Sequence, residues 1–399
     1  MYDVIVVGAR CGGSPTAMLL ARRGYRVLVV DRASFPSDTM STHFVMTPGV
    51  VCLKRWGLLD QVAASNCPAV RQGSVDVGPF ALTGTPPPLE GVGERYAPRR
   101  TVLDKILVDA AVAAGAELRE RFAIRELVWD GGTVTGICGG EHGGQDVTER
   151  ARIVVGADGH HSFVARTVDA PTYLERPALT CSYYSYWSGV PIDRTEVYVR
   201  DGRWMGAFPT NDDLVLVVTQ WPAADAREFR ADIEGNYLKT LELAPDLAQR
   251  VREGKREAHF LGTADLPNYF RKPYGPGWAL VGDAGYHKDP NLAQGISDAF
   301  RDAELLTEAI DDGLSGRRLI EKAMADYERR RNEAAMPGYE LDCQFASLEP
   351  PPEEIQQLFG ALHGNQEETD RFLGTIFETV PIPEFFAPQN VQRIIQAAA

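Results

Sequence analysis

The chain has 399 residues, of which 44% are hydrophobic, so it is long enough for two or three domains around a sizeable core. Asp and Glu (55) outnumber Lys and Arg (41), the formal charge is −14, and like charges do not cluster. Since nucleic acids and anionic membranes attract clustered Lys and Arg, neither is expected as a stable partner. No apolar run approaches the roughly 20 residues that span a bilayer, and the first is too short for a signal peptide, so we expect a cytoplasmic protein.

The chain begins with a strand–turn–helix–strand pattern. Tyr2 to Val7 is a short apolar run that predicts a strand, and a glycine-containing turn follows it. Pro15 to Arg23 predicts a helix, because proline is tolerated in the first helical turn. Arg26 to Val30 predicts the next strand, which delivers Asp31 at its carboxyl end. This βαβ pattern, with an acidic residue after the second strand, is typical of dinucleotide binding.

The turn itself, VGARCGG, supports this interpretation. Gly8 allows the chain to turn sharply, and Gly13 lets the helix lie close to the sheet. A pyrophosphate would then meet free N–H groups at the start of the helix. Arg10 stands where the G-x-G-x-x-G pattern has its middle glycine. We therefore expect its side chain either to point away from the phosphates or to hydrogen-bond to them.

Two later segments place a carboxylate between glycines at the end of a strand. Arg152 to Arg166 predicts a strand followed by Asp158 and a helix, and Trp278 to Val281 predicts a strand that runs into Gly282 and Asp283. Small neighbours let a bulky ligand touch the backbone, while an aspartate accepts hydrogen bonds from sugar or ribityl hydroxyls. Both segments therefore favour binding of a nucleotide-like ligand.

A further helix is predicted directly after the second of these turns. Pro290 and Gly295 precede it, and its apolar positions continue to Leu306. The free N–H groups and the positive dipole end at its N-terminus suit a ligand that becomes negative in use, as reduced flavin does.

The middle of the chain has a different pattern, with short alternating runs and tight turns that include the hairpin signal Asp-Gly. Four strands are predicted, at 180–189, 196–200, 203–208 and 214–220. They predict an antiparallel sheet that covers the ligand site and shapes a substrate pocket. Alternation places Tyr184 and Tyr186 on one face and Tyr183 and Trp187 on the other. The sequence leaves open which face lines the pocket, and ordinary core packing is the alternative for these aromatic residues.

The sequence predicts no metal site. The six cysteines are scattered without a C-x-x-C pair, which also argues against a disulfide framework. His160 and His161 are adjacent, which is a poor arrangement for sharing one ion, and no acidic or Cys partner stands at ligand spacing.

The chain changes character again after about residue 335. The run EPPPE interrupts the pattern, two helices are predicted at 354–362 and 367–379, and PIPEFFAP, Pro381 to Pro388, is predicted to be non-helical. We expect a helical cap that closes the substrate side or forms an oligomer contact.

Four segments, in order, carry a family resemblance: VVGARCGG, RRTVLDKIL, VVGADGHHSFVAR and GDAGYHKDPNLAQGISDAF. This order resembles the FAD-dependent monooxygenases of the para-hydroxybenzoate hydroxylase-like superfamily, which also includes geranylgeranyl reductases. The resemblance implies an α/β fold with a Rossmann-like, glutathione-reductase-type FAD-binding domain, an inserted antiparallel-sheet substrate domain and a C-terminal helical segment. The expected bounds are 1–68, 99–170 and 265–335 for the discontinuous FAD-binding domain, 69–98 and 171–264 for the substrate domain, and 336–399 for the cap.

The resemblance also implies roles for individual residues. The expected FAD contacts are Gly8, Arg10, Gly13, Asp31 and Arg32 for the ADP half, and Arg100, Asp158, Gly282, Asp283, Pro290 and Gly295 for the flavin half. His43 and His287 would fall near the flavin, where either could relay a proton, although a loop histidine is more often structural. Tyr184 and Tyr186 are the candidate substrate contacts. For Asp104, pairing within its own helix is the favoured alternative to catalysis.

The function implied is an NAD(P)H-driven monooxygenase that uses FAD and O2. One oxygen atom would pass through a flavin C4a-hydroperoxide to a small organic substrate of aromatic or polyketide-like type. Three alternatives stay open: a reductase of C=C bonds, a flavin-dependent halogenase and a non-catalytic flavoprotein. RWMGAFP, the stretch nearest to the halogenase pattern Trp-x-Trp-x-Ile-Pro, does not match it. The substrate, the choice between NADH, NADPH and an external flavin reductase, the catalytic acid or base and the oligomeric state are not determined by the sequence.

Overall fold

The structure, a computed structural model, describes residues 1–141 and 143–398, which form two eight-stranded sheets, one three-stranded sheet and fourteen α-helices. The strands are β1 (Tyr2–Val7), β2 (Val27–Val30), β3 (Gly73–Asp76), β4 (Ala81–Gly84), β5 (Glu117–Arg119), β6 (Ala123–Asp130), β7 (Thr133–Gly140), β8 (Val147–Gly156), β9 (Thr172–Arg176), β10 (Thr180–Ser188), β11 (Thr195–Arg200), β12 (Arg203–Pro209), β13 (Val215–Pro222), β14 (Lys255–Arg256), β15 (Leu261–Thr263), β16 (Asn268–Arg271), β17 (Tyr274–Gly275), β18 (Trp278–Leu280) and β19 (Tyr286–His287). The helices are α1 (Gly13–Arg22), α2 (Thr47–Trp56), α3 (Leu59–Ala63), α4 (Arg100–Ala113), α5 (Phe163–Thr167), α6 (Ala226–Ala231), α7 (Ile233–Leu241), α8 (Pro245–Glu253), α9 (Gly295–Leu314), α10 (Ile320–Ala346), α11 (Glu353–Leu362), α12 (Gln366–Ile376), α13 (Ile382–Phe385) and α14 (Pro388–Ala398).

The first sheet has the strand order β17-β18-β8-β1-β2-β5, and its central strands β18, β8, β1, β2 and β5 are parallel. Both faces of this sheet are covered, which explains why β1 and β2 read as apolar runs rather than alternating ones. Helices α1, α4 and α9 contribute to the core on one face. The antiparallel hairpin β6–β7, which continues the sheet through β8, packs on the other. This is the predicted α/β domain with its dinucleotide-binding βαβ unit.

The second sheet has the order β14-β10-β13-β12-β11-β3-β4, with β15 paired to β10. Segment 69–98 supplies β3 and β4. These strands belong to the second sheet, because β3 pairs in parallel with β11 and antiparallel with β4. The predicted alternation along β10 is confirmed: Tyr183 and Trp187 pack against α6, α7 and α8, whereas Tyr184 and Tyr186 pack toward the C-terminal helices. The sheet is therefore buried on both faces, and its second face points toward Leu292 and Ala293 before α9.

The long helix α10 packs against the small third sheet. It contains the fully buried Arg331, whose guanidinium donates to the carbonyl oxygen of Gly285 at 3.1 Å, to that of Arg271 at 3.0 Å and to the hydroxyl of Tyr173 at 3.0 Å. These partners lie on or beside the strands β9, β16 and β19 of the small third sheet. One buried cation thus ties this sheet to the helix.

Several local features differ from the sequence-based expectations. The hairpin β6–β7 and the helices α6–α8 were not predicted. Helix α10 runs through the expected domain boundary at 335/336 and includes Pro337 in its interior. The prediction that Pro381 to Pro388 is non-helical is wrong, since α13 lies within it. Proline in the first turn of α13 removes an N–H that would have no intrahelical partner anyway. None of the helices in the described part of the chain is long and apolar enough to cross a membrane.

The contact between α1 and β1 gives a test of this architecture. A Cβ at Gly13 would lie 1.8 Å from the carbonyl oxygen of Gly8, so we expect Gly13→Ala to lower the free energy of unfolding by roughly 1–3 kcal/mol. Urea unfolding followed by circular dichroism measures this difference. The control is Gly360→Ala in the exposed part of α11, where an added Cβ meets nothing within 4 Å. The control should be neutral or slightly stabilising, and equal stability of the two variants would contradict the packing argument.

Candidate functional site

The candidate cofactor site begins at the carboxyl ends of the parallel strands. Gly8 ends β1 with φ of +101°, and a Cβ there would lie 2.3 Å from the carbonyl oxygen of Ala157. Gly13 is equally confined, as its contact with Gly8 shows. The turn between β1 and α1 is therefore closed by backbone contacts that only glycine allows.

Asp31 braces this turn. Its carboxylate accepts hydrogen bonds from the backbone N–H of Ala9 at 2.7 Å and of Ala33 at 2.8 Å, and only 9% of the residue is exposed. The predicted contact to the ADP half of FAD would use the acceptor capacity that these two bonds leave. Arg32 beside it is exposed.

The guanidinium of Arg10 is held by groups of the protein itself. It donates to Ser37 Oγ at 3.0 Å, forms an ion pair with Asp104, and lies 5.3 Å from the centroid of the Phe35 ring. The substitution of the middle glycine is thus accommodated by a partner on α4 that the turn motif does not contain.

Asp104 is completely buried and accepts from a second cation as well. Arg100 Nε donates to it at 3.0 Å, which is the predicted pairing within the helix, and Cys11 Sγ lies 3.5 Å from the same carboxylate oxygen. Burial raises the pKa of the Cys11 thiol to about 12, so it stays protonated. Although burial opposes it, the carboxylates of Asp104 and Asp283 raise the pKa of Arg100 above its ordinary value. Arg100 is therefore a permanent positive charge at the site.

Asp158 has a different environment from the one expected. Its carboxylate accepts from the hydroxyl of Ser162 at 2.5 Å and from the backbone N–H groups of Phe163 at 2.6 Å and Val164 at 3.2 Å. Burial raises its pKa, although these hydrogen bonds oppose the shift. The observed role of Asp158 is to hold the start of α5.

Asp283 differs from Asp158, because its side chain is exposed. Its backbone carbonyl oxygen accepts from the hydroxyl of Tyr269 at 2.6 Å. Gly282 has φ of +61°, and a Cβ there would lie 3.8 Å from Cα of Gly12 across the gap. At Gly295 an added Cβ would meet nothing within 4 Å. We call the region where the N-termini of α1 and α9 meet Gly282 and Asp283 the cofactor groove.

The residues of the cofactor groove fit an elongated FAD. Neither α1 nor α9 has a side-chain cap. In the first turn of α1 the N–H of Ser14 donates to the carbonyl oxygen of Arg10 and Pro15 has no N–H, so Gly13 supplies the N–H group that can meet a ligand. The N-terminus of α1 suits the pyrophosphate, and that of α9 suits a ring that gains negative charge. The exposed carboxylate of Asp283 can accept from the hydroxyls between them.

Buried titratable side chains contact the loop before α9. The residues Pro290–Leu292 form a short turn, and Ala293 follows with φ of +52°. Asp342 of α10 accepts from the N–H of Leu292 at 3.0 Å, and burial raises its pKa well above the usual range. Nearby, the buried Lys288 lies 3.1 Å from Asp298. We did not predict these groups: Asp342 lies 50 residues after Leu292 in the sequence, and no local pattern indicates their contact.

His43 lies in a buried cluster with both candidate tyrosines. Its Nε2 contacts the hydroxyl of Tyr186, its ring stacks on that of Tyr186 at 5.7 Å, and Tyr184 meets it edge-on at 6.2 Å. Burial lowers the pKa of His43, and the positive charges of Arg100 and Arg99 act in the same direction. His43 is therefore neutral at pH 7 and stands next to the cationic edge of the site.

His287 lies in another environment. Its Nδ1 is 2.5 Å from the carbonyl oxygen of Pro267, and its ring packs against that of His160 at 5.2 Å. Asp265 approaches the adjacent histidine, with its carboxylate 2.9 Å from His161 Nε2. One ligand atom from each of His160, His161 and Asp265 falls within 4.8 Å of the others. The argument from sequence spacing missed this acidic partner, and the absence of a metal site stays a prediction.

An enclosed pocket lies between the second sheet and the loop before α9, with a cavity of about 30 Å³. We call it the apolar pocket. Its walls come from the segment after His43, from β3, β11 and β12, from residues 291–293, and from α10 and α12. Tyr184 and Tyr186 share the sheet face but do not line this cavity. The sequence could not reveal it, because its walls come from seven separate segments.

Comparison with known proteins identifies the family. Residues 1–338 match the model of the FAD binding domain family. The chain belongs to this family, and it is an FAD-dependent oxidoreductase with FAD as its cofactor.

Individual relatives have several activities. Digeranylgeranylglycerophospholipid reductase of Methanocella arvoryzae is 26% identical over 357 residues, which is 86% of each chain. The myxobacterial chondrochloren halogenase CndH is 21% identical with a TM-score of 0.81, covering 100% of this chain and 96% of the halogenase. PqsL, a probable FAD-dependent monooxygenase from Pseudomonas aeruginosa, is 23% identical with a TM-score of 0.73, covering 95% of this chain and 100% of its own. The structural matches establish the fold.

The exposed carboxylate in the cofactor groove gives a direct test. We expect Asp283→Ala to fold normally and to raise the Kd for FAD at least about 10-fold, which corresponds to roughly 1.4 kcal/mol. Fluorescence titration of the apoprotein with FAD measures this constant. Asp246→Ala, which removes an exposed carboxylate from α8, is the matched control and should keep the wild-type Kd. A folded Asp283→Ala protein with unchanged affinity would exclude the assignment.

The neutral state of buried His43 predicts a pH dependence of stability. The folded-state pKa of His43 lies below its ordinary value of 6.5. At pH values between the folded-state pKa and 6.5, the unfolded chain therefore binds a proton that the folded chain does not bind. The stabilisation is fully present above about pH 6.5 and is lost as the pH falls. Between pH 7 and 5, the wild type should lose stability faster than His43→Asn, by up to about 1.4 kcal/mol per pH unit.

Asparagine is chosen because it tolerates the φ of +63° at this position. His259→Asn, at an exposed histidine, is the control and should follow the wild-type curve. Parallel curves for wild type and His43→Asn in urea unfolding would show that His43 titrates normally.

Proposed function

We propose that this protein is an NAD(P)H-driven monooxygenase that transfers one oxygen atom from O2 to a small organic molecule held in the apolar pocket. The observation that carries the proposal is this pocket, which lies against the loop before α9 and is shielded by α10 and α12. Bound FAD supplies the chemistry of hydride acceptance and O2 activation. The protein binds and orients the cofactor and the substrate, and it excludes water.

Groups of this chain provide the polar part of the site. Arg100 supplies a fixed positive charge on one side of the cofactor groove, which favours negative charge on a bound ligand. Neutral His43 can accept a proton at Nε2 or share one with the hydroxyl of Tyr186. Among the candidate residues we therefore propose His43, with Tyr186 as its partner, as the proton-handling pair, and we assign no proton transfer to His287.

A reductase of C=C bonds is the second candidate, and one observation favours it. The digeranylgeranylglycerophospholipid reductases are 25–27% identical to this chain over 75–91% of its length. Against this, the cavity of the apolar pocket is about 30 Å³, far below the several hundred Å³ of typical ligand sites. A small molecule therefore requires less rearrangement of the pocket walls than a long isoprenoid chain does.

Isotope labelling distinguishes the two candidates. The FAD-loaded protein, NADPH or NADH, and a panel of phenols and polyenes are incubated under 18O2, and products are analysed by mass spectrometry. We expect a product heavier by one 18O atom, because one oxygen atom comes from O2. A product that gains two hydrogen atoms, formed equally well without O2, would replace the proposal with the reductase.

The same assay tests the proton-handling pair. His43→Asn should retain FAD and consume NAD(P)H, but yield at least about 10-fold less product per NAD(P)H consumed. His287→Asn is the control and should keep the wild-type yield. Unchanged yield in His43→Asn would remove the role proposed for His43.

A further inference from the structure

The walls of the apolar pocket carry no charge. Its fifteen lining residues are aromatic or aliphatic except for Ser74, Thr195 and Asn291. Such walls favour transfer of apolar surface out of water and oppose entry of an ion without a partner. Most of the surface of a fitting ligand is therefore apolar.

Two polar atoms in these walls have no hydrogen-bond partner within the described residues. They are Oγ1 of Thr195 and Oδ1 of Asn291, and both residues are at most 3% exposed. A buried polar atom without a partner costs free energy unless a ligand or water satisfies it. Both residues line the same cavity, so a single ligand can contact both.

The orientation of the Asn291 amide specifies what it needs. Its Nδ2 donates to Asp289 Oδ1 at 3.0 Å, and Asp289 also accepts from Thr180 Oγ1 at 2.7 Å. Burial raises the pKa of Asp289 to about 7. Its ionised form accepts from the amide N–H of Asn291, which leaves Oδ1 of Asn291 as the acceptor for a ligand. The ligand must therefore present an O–H or N–H donor to Asn291, whereas the hydroxyl of Thr195 can donate or accept.

We propose that the apolar pocket binds a neutral, largely apolar molecule with a hydroxyl or N–H donor, which Asn291 Oδ1 accepts while Thr195 makes the second polar contact. The inference depends on the proposed function only for the statement that this ligand is the substrate. Asn291 lies one residue after Pro290 in the loop before α9, so the donor end of the ligand would lie at the cofactor side of the pocket.

Arg95 is the charged group that the alternative, an anionic ligand, would use. It is buried, and its guanidinium lies 4.1 Å from the centroid of the Phe377 ring, which lines the pocket. Arg95 itself does not line the cavity, so it offers no charge there to an anion.

Calorimetry with three probes of similar shape tests the proposal on the FAD-loaded protein at pH 7. The probes are 4-propylphenol, which is neutral and carries a donor, propylbenzene, which lacks the donor, and 4-propylbenzoate, which is anionic. We expect 4-propylphenol to bind at least about 10-fold more tightly than either of the others. Tighter binding of 4-propylbenzoate would establish an anion site, and either equal binding of the phenol and propylbenzene or no binding by any probe would overturn the proposal.

Variants locate the interaction. Thr195→Val should weaken 4-propylphenol about 5-fold, and Asn291→Leu should abolish its advantage over propylbenzene. Thr219→Val is the matched control: it lies in the same sheet, opposite Tyr183 and Met205 on the face covered by α6–α8, and should bind as wild type does. Wild-type affinity in both Thr195→Val and Asn291→Leu would overturn the recognition by these two residues.

The calorimetric test can contradict the inference without contradicting the proposed function, and the isotope experiment can do the opposite. Tight binding of 4-propylphenol without 18O transfer to any compound would leave the inference intact and remove the proposed function. Transfer of 18O to an anionic substrate that displaces 4-propylphenol would do the reverse.

Discussion

The carboxylate of Asp104 holds two guanidinium groups, of Arg10 and Arg100, that would repel each other without it. Arg10 belongs to the turn between β1 and α1, whereas Arg100 and Asp104 belong to α4, so this contact fixes the turn against that helix. A buried carboxylate between two cations is costly to break, because removing it leaves unpaired charges in a medium that solvates them poorly. The cofactor groove thus depends on a residue that does not border it.

The same contact sets the electrostatics of the site. Arg100 keeps a full positive charge, and Asp283 across the cofactor groove contributes to its raised pKa. Arg100 and Arg99 in turn help to keep His43 neutral. One cluster therefore combines a permanent cation with an imidazole that is neutral at pH 7. Neither property belongs to a single motif.

The sequence predicted those parts of the site that depend on short-range patterns. The βαβ unit, the close contact of Gly13 and the alternation of Tyr183, Tyr184 and Tyr186 follow from periodicity and backbone geometry, and all three are present. The pairing of Arg100 with Asp104 follows from i,i+4 spacing on a helix.

The remaining features depend on contacts between distant segments. Asp158 is used within the protein to hold α5, although its position between glycines resembles that of Asp283. Asp265 reaches His161 from another part of the chain, and Asp342 reaches the N–H of Leu292 from α10. Such pairs leave no periodic signal, since each partner is set by tertiary packing rather than by local spacing.

The C-terminal region lies outside the family match and contributes to the apolar pocket. The family match ends at residue 338, yet Phe345, Ile376 and Phe377 line the apolar pocket and Asp342 supports the loop before α9. Residues that bind FAD can be common to a reductase, a halogenase and a monooxygenase, while three of the fifteen residues that line the pocket come from a segment outside the matched region. Because ligand discrimination depends on those walls, relatives with the same cofactor groove can differ in what they accept. The activity of this chain is thus to be sought in the contact between its C-terminal helices and the second sheet, where the walls of the pocket meet.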